Sequence, residues 1–205
     1  MIFLMLACGG GPTTQYTGHT TYKYMPFDGN RTWRYGNDGM GFELSVEKVD
    51  AQWVDTTEII TLEYAKHEPY ELLATIDWSS DSIDGILVHG YTLTNQGGMT
   101  FDTPVVFADY RMVPEDVVET VTNDITFTAT FVGVEMCPND WVSEDNTWEC
   151  LHFNITSDSA ASSFPFVGDW WLANTWGASR FVAPEGTFGS DNTWVLSQAN
   201  YQEED

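Results

Sequence analysis

Basic residues are scarce in this chain. Seven Lys and Arg stand against 31 Asp and Glu in 205 residues, a formal net charge of −24. No basic patch is available to neutralise phosphates, which excludes a nucleic-acid binder. The same shortage excludes docking on anionic lipid through side chains. Long hydrophobic runs are also missing: the apolar opening, residues 1–7, is far short of the ~20 residues that a spanning helix needs. A sustained 3.6-residue period over 12 residues is absent, so little helix is expected. His-Glu-x-x-His, Gly-x-Ser-x-Gly and P-loop motifs are absent too. Hence no catalytic residue, no metal site and no cofactor is assigned. The scarcity of charge of one sign does not mean disorder, because hydrophobic residues make up 42% and aromatics 15%.

What is present reads as β-structure. Ile125, Phe127, Ala129 and Phe131 alternate with three Thr. Leu44 and Val46, then Ile60, Leu62 and Tyr64, repeat the pattern, as do Leu72, Ala74, Ile76 and Trp78. Leu151, Phe153 and Ile155 alternate with His152, Asn154 and Thr156. Such alternation describes an antiparallel sheet with one buried face. Turn signals separate the runs: Gly36-Asn37-Asp38-Gly39, Asp84-Gly85 and Asn95-Gln96-Gly97-Gly98. Residues 114–119 are the best helical candidate, with Pro and acids suited to a first turn. The expected fold is all-β: a single curved antiparallel sheet, half-barrel or open barrel, of about ten strands. Residues 22–205 form that one domain, residues 8–21 a flexible tether rich in Gly and polar residues.

Three cysteines are few, and each has an expected use. Cys137 and Cys150 bracket twelve residues containing Pro138-Asn139-Asp140, a turn-former, and are expected to form a disulfide. A loop of this size gives such a bond about 3 kcal/mol in the chain-entropy model. The string Leu4-Met5-Leu6-Ala7-Cys8 resembles a bacterial lipobox, in which the Cys carries the lipid. Residues 1–7 are then the remnant of a lipoprotein signal peptide whose true start lies upstream. This resemblance implies a membrane partner through a lipid on Cys8, and a place in the bacterial envelope at the outer membrane.

A second resemblance covers most of residues 22–201. Tyr24-Met25-Pro26-Phe27-Asp28-Gly29-Asn30-Arg31-Thr32-Trp33-Arg34-Tyr35 resembles the "Y-x-P-L-x-x-G-N-x-W-x-Y" opening of many uncharacterised secreted bacterial lipoproteins. Cys150-Leu151-His152-Phe153, Trp171-Leu172-Ala173-Asn174-Thr175-Trp176-Gly177 and Trp194-Val195-Leu196 are similar to later segments of that family. The mid-chain "x-x-G-D-x-W" of the family is missing here. The resemblance implies a half-barrel like that of lipoprotein carriers, with no known activity.

Function is therefore sought in the aromatics. Trp170, Trp171 and Trp176 lie close together in sequence, with Trp141 and Trp148 near the cysteine pair. They are either core filling or the wall of a ligand site. Trp170 and Trp171 must point to opposite faces of a strand. The expected function is that of a non-enzymatic, envelope-anchored lipoprotein with a β-rich domain binding an apolar small molecule or a partner protein. The alternative is a secreted carbohydrate-binding module using surface Trp. A hydrolase with paired carboxylates or a metal is the third reading.

Overall fold

A computed structural model describes residues 18–27, 30–37, 42–137, 148–159, 164–189 and 192–202. The strands are β1 His19–Thr20, β2 Asn30–Gly36, β3 Leu44–Val54, β4 Thr57–Lys66, β5 Glu71–Asp81, β6 Gly85–Leu93 and β7 Gly97–Ala108. They continue as β8 Arg111–Met112, β9 Val117–Thr122, β10 Ile125–Met136, β11 Glu149–Ser157, β12 Gly168–Ala173, β13 Gly177–Val182 and β14 Thr193–Gln202. A single 3₁₀ turn, Tyr22–Tyr24, is the helical element among the described residues.

The expected all-β architecture is what forms. Twelve strands make one antiparallel sheet in the order β7-β6-β5-β4-β3-β2-β14-β13-β12-β11-β10-β9. Two meanders, β2 to β7 and β9 to β14, are stitched together by the pairing of β2 with β14. The sheet curls until its two edges, β7 and β9, meet. No backbone ladder joins them. Side chains close the seam instead: Thr122 Oγ1 and Thr120 Oγ1 each accept, at 3.1 Å, from the amides of Thr103 and Val106. The Asn123 carboxamide oxygen accepts from the Asp102 amide at 3.2 Å. The molecule is thus a barrel closed on one side by hydroxyls, which satisfies edge groups that would otherwise invite pairing with another chain.

Alternation decides the interior. Phe127, Ala129 and Phe131 are buried, as are Leu151, Phe153 and Ile155, with His152 and Asn154 turned outward. Ala74, Ile76 and Trp78 are buried too. At Leu72 the expectation fails. A bulge opposite Tyr64 and Ala65 shifts the register, and Leu73 packs on the core in its place. Rings fill the centre: Trp170 stacks on Phe181 at 4.7 Å, and Trp78 and Phe107 meet edge-on at 5.2 Å.

Two further expectations are corrected. Residues 114–119 are no helix: Glu115 has φ of 77°, and its amide bonds to Phe131 O at 2.7 Å. The β-branched Val117, Val118 and Val121 then run on as strand β9. The tether was expected to reach residue 21, but residues 18–21 belong to the domain. His19 and Thr20 pair with Met112 and Arg111, and buried Thr21 donates its hydroxyl to Asp109 O at 2.7 Å. The proposed lipid site Cys8, the signal remnant and the rest of the tether lie outside the described residues.

The N-terminal segment, residues 18–27, crosses one end of the barrel as a strap. It pairs with β8 and accepts at Tyr22 O from Ser80 Oγ at 2.9 Å. It also lays Phe27 over Trp78 at 6.4 Å. This strapped end holds the β3–β4, β5–β6, β7–β9, β10–β11 and β12–β13 connections, and the far end holds the others.

Candidate functional site

The barrel interior is the natural place to look for an apolar ligand, and its described residues are packed side chain against side chain. The void between the strap and the sheet, lined by Met25, Trp33, Tyr35, Tyr64 and Trp170 among others, measures about 20 Å³. That is room for about one water. Sites for drug-sized ligands are ~300–1,000 Å³. Burial there pushes the Tyr35 and Tyr64 hydroxyls well above their ordinary pKa of 10.0. Both stay neutral at any physiological pH, and Tyr35 donates to Ala178 O at 3.0 Å.

The three candidate tryptophans separate. Trp170 is 1% exposed and its indole N–H donates to Phe166 O at 2.9 Å. It is core, and cannot present a face to a ligand arriving from solvent. Trp171 points the other way, as the strand geometry requires. It sits between its cross-strand neighbours: the His152 ring stacks on it at 4.2 Å, and the Arg180 guanidinium lies 4.6 Å from its centroid. Its N–H donates to Glu135 Oε2 at 2.9 Å. His152 also spans two carboxylates, with Nδ1 3.0 Å from Glu135 Oε1 and Nε2 3.0 Å from Asp169 Oδ1. Hydrogen bonds from Trp171 and His152 hold the Glu135 carboxyl below its usual range. Both imidazole nitrogens are committed and the ring face is covered. The cluster is a clamp across β10, β11, β12 and β13.

Trp176 belongs to a different arrangement. The Cys137–Cys150 disulfide forms as expected, with its Cα atoms 4.9 Å apart. A disulfide sulfur has no proton, so the Ser179 hydroxyl, 3.1 Å from Cys150 Sγ, is the donor between them. The disulfide and Ala173 form a small apolar cluster on the outside of the sheet, covered by Trp148, Trp171 and Trp176. The Trp148 and Trp176 rings stack at 5.1 Å. Beside them lies a groove of about 510 Å³, lined by Tyr24, Met136, Trp148, Glu149, Ala173, Asn174 and Trp176. Its size is that of a small-molecule site.

The groove is rigidly built. Asn174, Thr175 and Trp176 form the β12–β13 turn, in which Thr175 has φ of 66°. Its carbonyls and amide are tied to the strap and to β2. Trp33 Nε1 donates to Trp176 O at 2.7 Å, and Arg31 to Thr175 O at 2.7 Å. Thr175 N–H donates to Lys23 O at 3.0 Å. On the other wall, Cys137 N–H donates to Trp148 O at 2.9 Å. Burial and the nearby Glu149 charge push the Tyr24 hydroxyl above its ordinary pKa. The groove therefore combines indole faces, a phenol donor, a carboxylate and a carboxamide.

Sequence reasoning singled out Trp176 and the cysteine pair, and placed Trp148 beside them. Tyr24, Glu149 and Asn174 were missed, because only the strap and the strand register bring them together. Elsewhere, Asp81 at the end of β5 accepts from the amides of Ile83 and Asp84 at 2.7 and 2.8 Å, closing the β5–β6 turn. Among the described residues no group of three His, Cys, Asp or Glu is placed to hold a metal ion.

No protein-family model and no curated protein sequence matches the chain. Among solved structures, a "putative lipoprotein" from Parabacteroides distasonis ATCC 8503 is similar at 13% identity and a TM-score of 0.45. The match covers 90% of this chain and 99% of that one.

Proposed function

We propose that this protein is a non-enzymatic, envelope-anchored lipoprotein that binds a small polar ligand with stackable faces, a sugar being the best fit. One observation carries the reading: among the described residues a binding-sized groove lies outside the barrel, beside Trp148 and Trp176, while the void under the strap holds about one water. Sugar recognition combines apolar stacking with polar groups at the edge. The groove offers both, through Trp148 and Trp176 and through Tyr24, Glu149 and Asn174. An apolar ligand of the expected kind would instead need a dry cavity. Anchoring rests on the lipobox-like string ending in Cys8.

Two measurements test the reading. A glycan array should give hits that weaken at least tenfold in Trp176→Ala, with Trp171→Ala much closer to the parent. An array without hits, or hits indifferent to Trp176, would sink the sugar assignment. Mass spectrometry of the chain expressed with its upstream signal should find a diacylglyceryl group on Cys8. An unmodified, correctly processed Cys8 would remove the anchor.

A further inference from the structure

The exposed apolar side chains are unevenly placed. Nine large ones stand out among the described residues: Val49, Trp53, Val54, Tyr70, Ile83, Val117, Val121, Val132 and Met136. Five of these sit on the strapped rim: Trp53 and Val54 at the β3–β4 hairpin, Ile83 in the β5–β6 turn, Val117 at the start of β9 and Met136 at the end of β10. Trp53 is 70% exposed and Ile83 79%. These tips lie on one half of the closed ring, from β10 and β9 across the seam to β5–β6 and β3–β4. The far end has Tyr70, and Val121 one residue from its turn. A turn tip normally carries Asn, Gly, Asp or Ser. Ile83 breaks that pattern in the β5–β6 turn, while Trp53 and Val54 end β3 just before the Asp55-Thr56 turn; gathered on one rim, they mark a surface for a partner.

We propose that this rim rests on the surface of a lipid bilayer, with Trp53, Val54 and Ile83 entering the headgroup layer. Two observations select lipid. First, the chain enters the fold at this end, where Gly18 begins the described residues. Cys8 lies ten residues before it, a reach of at most about 35 Å when fully extended. A lipid on Cys8 would hold the strapped rim nearer the membrane than the far end; the inference rests on that reading. Second, interfacial anchoring uses Trp beside aliphatic side chains, the pair found at the β3–β4 tip.

Charge sets the kind of lipid. Asp55, Asp81, Asp84, Glu115 and Asp116 flank the same tips. These carboxylates keep the contact shallow and favour zwitterionic headgroups over anionic ones. The contact also narrows the groove's ligand to one presented near the membrane surface, since Met136, Asn174 and Trp176 of its lining lie at this end.

The test uses the full chain with Cys8→Ser and an N-terminal histidine tag, held on phosphatidylcholine vesicles that contain a nickel-chelating lipid. The tag replaces the acyl anchor, so the result is independent of whether Cys8 is modified. An environment-sensitive dye is placed through Ile83→Cys or, as control, Tyr70→Cys. A blue shift and a several-fold rise in intensity are expected at position 83, with no change at 70. Adding Trp53→Ser and Val54→Ser should abolish the response. Replacing half of the lipid with phosphatidylglycerol should weaken it at low salt, and molar NaCl should restore it. No response at 83, or an equal response at 70, overturns the proposal. A positive dye response with an unmodified native Cys8 would keep the rim contact and remove the lipid anchor.

Discussion

The two ends of the barrel are made from the same material, hairpin connections between antiparallel strands, yet they are finished differently. The far end is closed by turn chemistry and by the β11–β12 and β13–β14 connections, which bury Phe164, Phe166 and Phe188 in the core. Asn123 and Asp124 take φ of 50° and 60°, the conformation a two-residue hairpin asks for, and Asn123 also secures the seam to β7. The strapped end adds a crossing segment, a disulfide, a tied β12–β13 turn and exposed Trp and Ile. None of these is needed to close a barrel. The difference teaches that the sheet supplies the scaffold, and that function is to be sought where the chain spends additional covalent and hydrogen-bonded structure.

The largest effect expected from breaking this contrast is at the disulfide. Replacing Cys137 and Cys150 together by Ser should cost about 3 kcal/mol in a denaturant titration, by the loop-closure argument for a 13-residue separation. It should also weaken ligand binding, because Trp148 and Trp176 pack on that bond. The far end should respond less. Thr122→Val removes the acceptor for the Thr103 amide and the donor to Asn123, and should cost about 1 kcal/mol. It should leave the groove intact. A seam variant as damaging as the disulfide variant, or one that abolishes binding, would erase the distinction between the ends.

Protonation gives a smaller, signed effect. Glu135 has its folded pKa lowered from 4.5, first by the Trp171 hydrogen bond and then by His152. Its contribution to stability is complete above the ordinary value and is lost as pH falls through the lowered one. Because the side chain is about half exposed, solvent screening keeps the effect modest. In Glu135→Gln, stability should fall less between neutral and acid pH than in the parent. His89 works in a different window. Burial lowers its pKa from 6.5, against the opposing charge of Asp77. The unfolded chain then binds the proton more readily, so stability is full above about 6.5 and declines as pH drops below it. His89→Gln should flatten that part of the profile in thermal melts.

Salt should give the mildest and least local change. A net charge of −24 repels itself, and ions screen that repulsion beyond about 8–10 Å at physiological strength. The melting temperature is expected to rise from low to molar NaCl. A flat or falling value would show that the surface acids are already compensated within the fold.

The fold was legible wherever alternation was strict. Phe127 to Phe131 and Leu151 to Ile155 gave direction and face directly, because a period of two leaves no other assignment with one buried side. It was illegible at bulges, as at Leu73, where one extra residue exchanges the faces without any mark in composition. The candidate site was legible in part. The cysteine spacing announced the disulfide, and Trp148 and Trp176 flank it in sequence. Strand alternation puts Trp170 and Trp171 on opposite faces, but only the register assigns the first to the core and the second to the clamp. Tyr24 and Arg31 were unreadable as neighbours of Thr175 and Trp176, since that proximity arises from a strap and a β2–β14 pairing far apart in sequence.

The claim that the strapped end carries the function is tested most directly by calorimetric titration with a glycan identified on the array, using one variant from each end. Trp176→Ala should lower the affinity at least tenfold, while Tyr70→Ala, at the far end, leaves it unchanged. Equal affinities for the two variants, or a loss confined to Tyr70→Ala, would contradict the account.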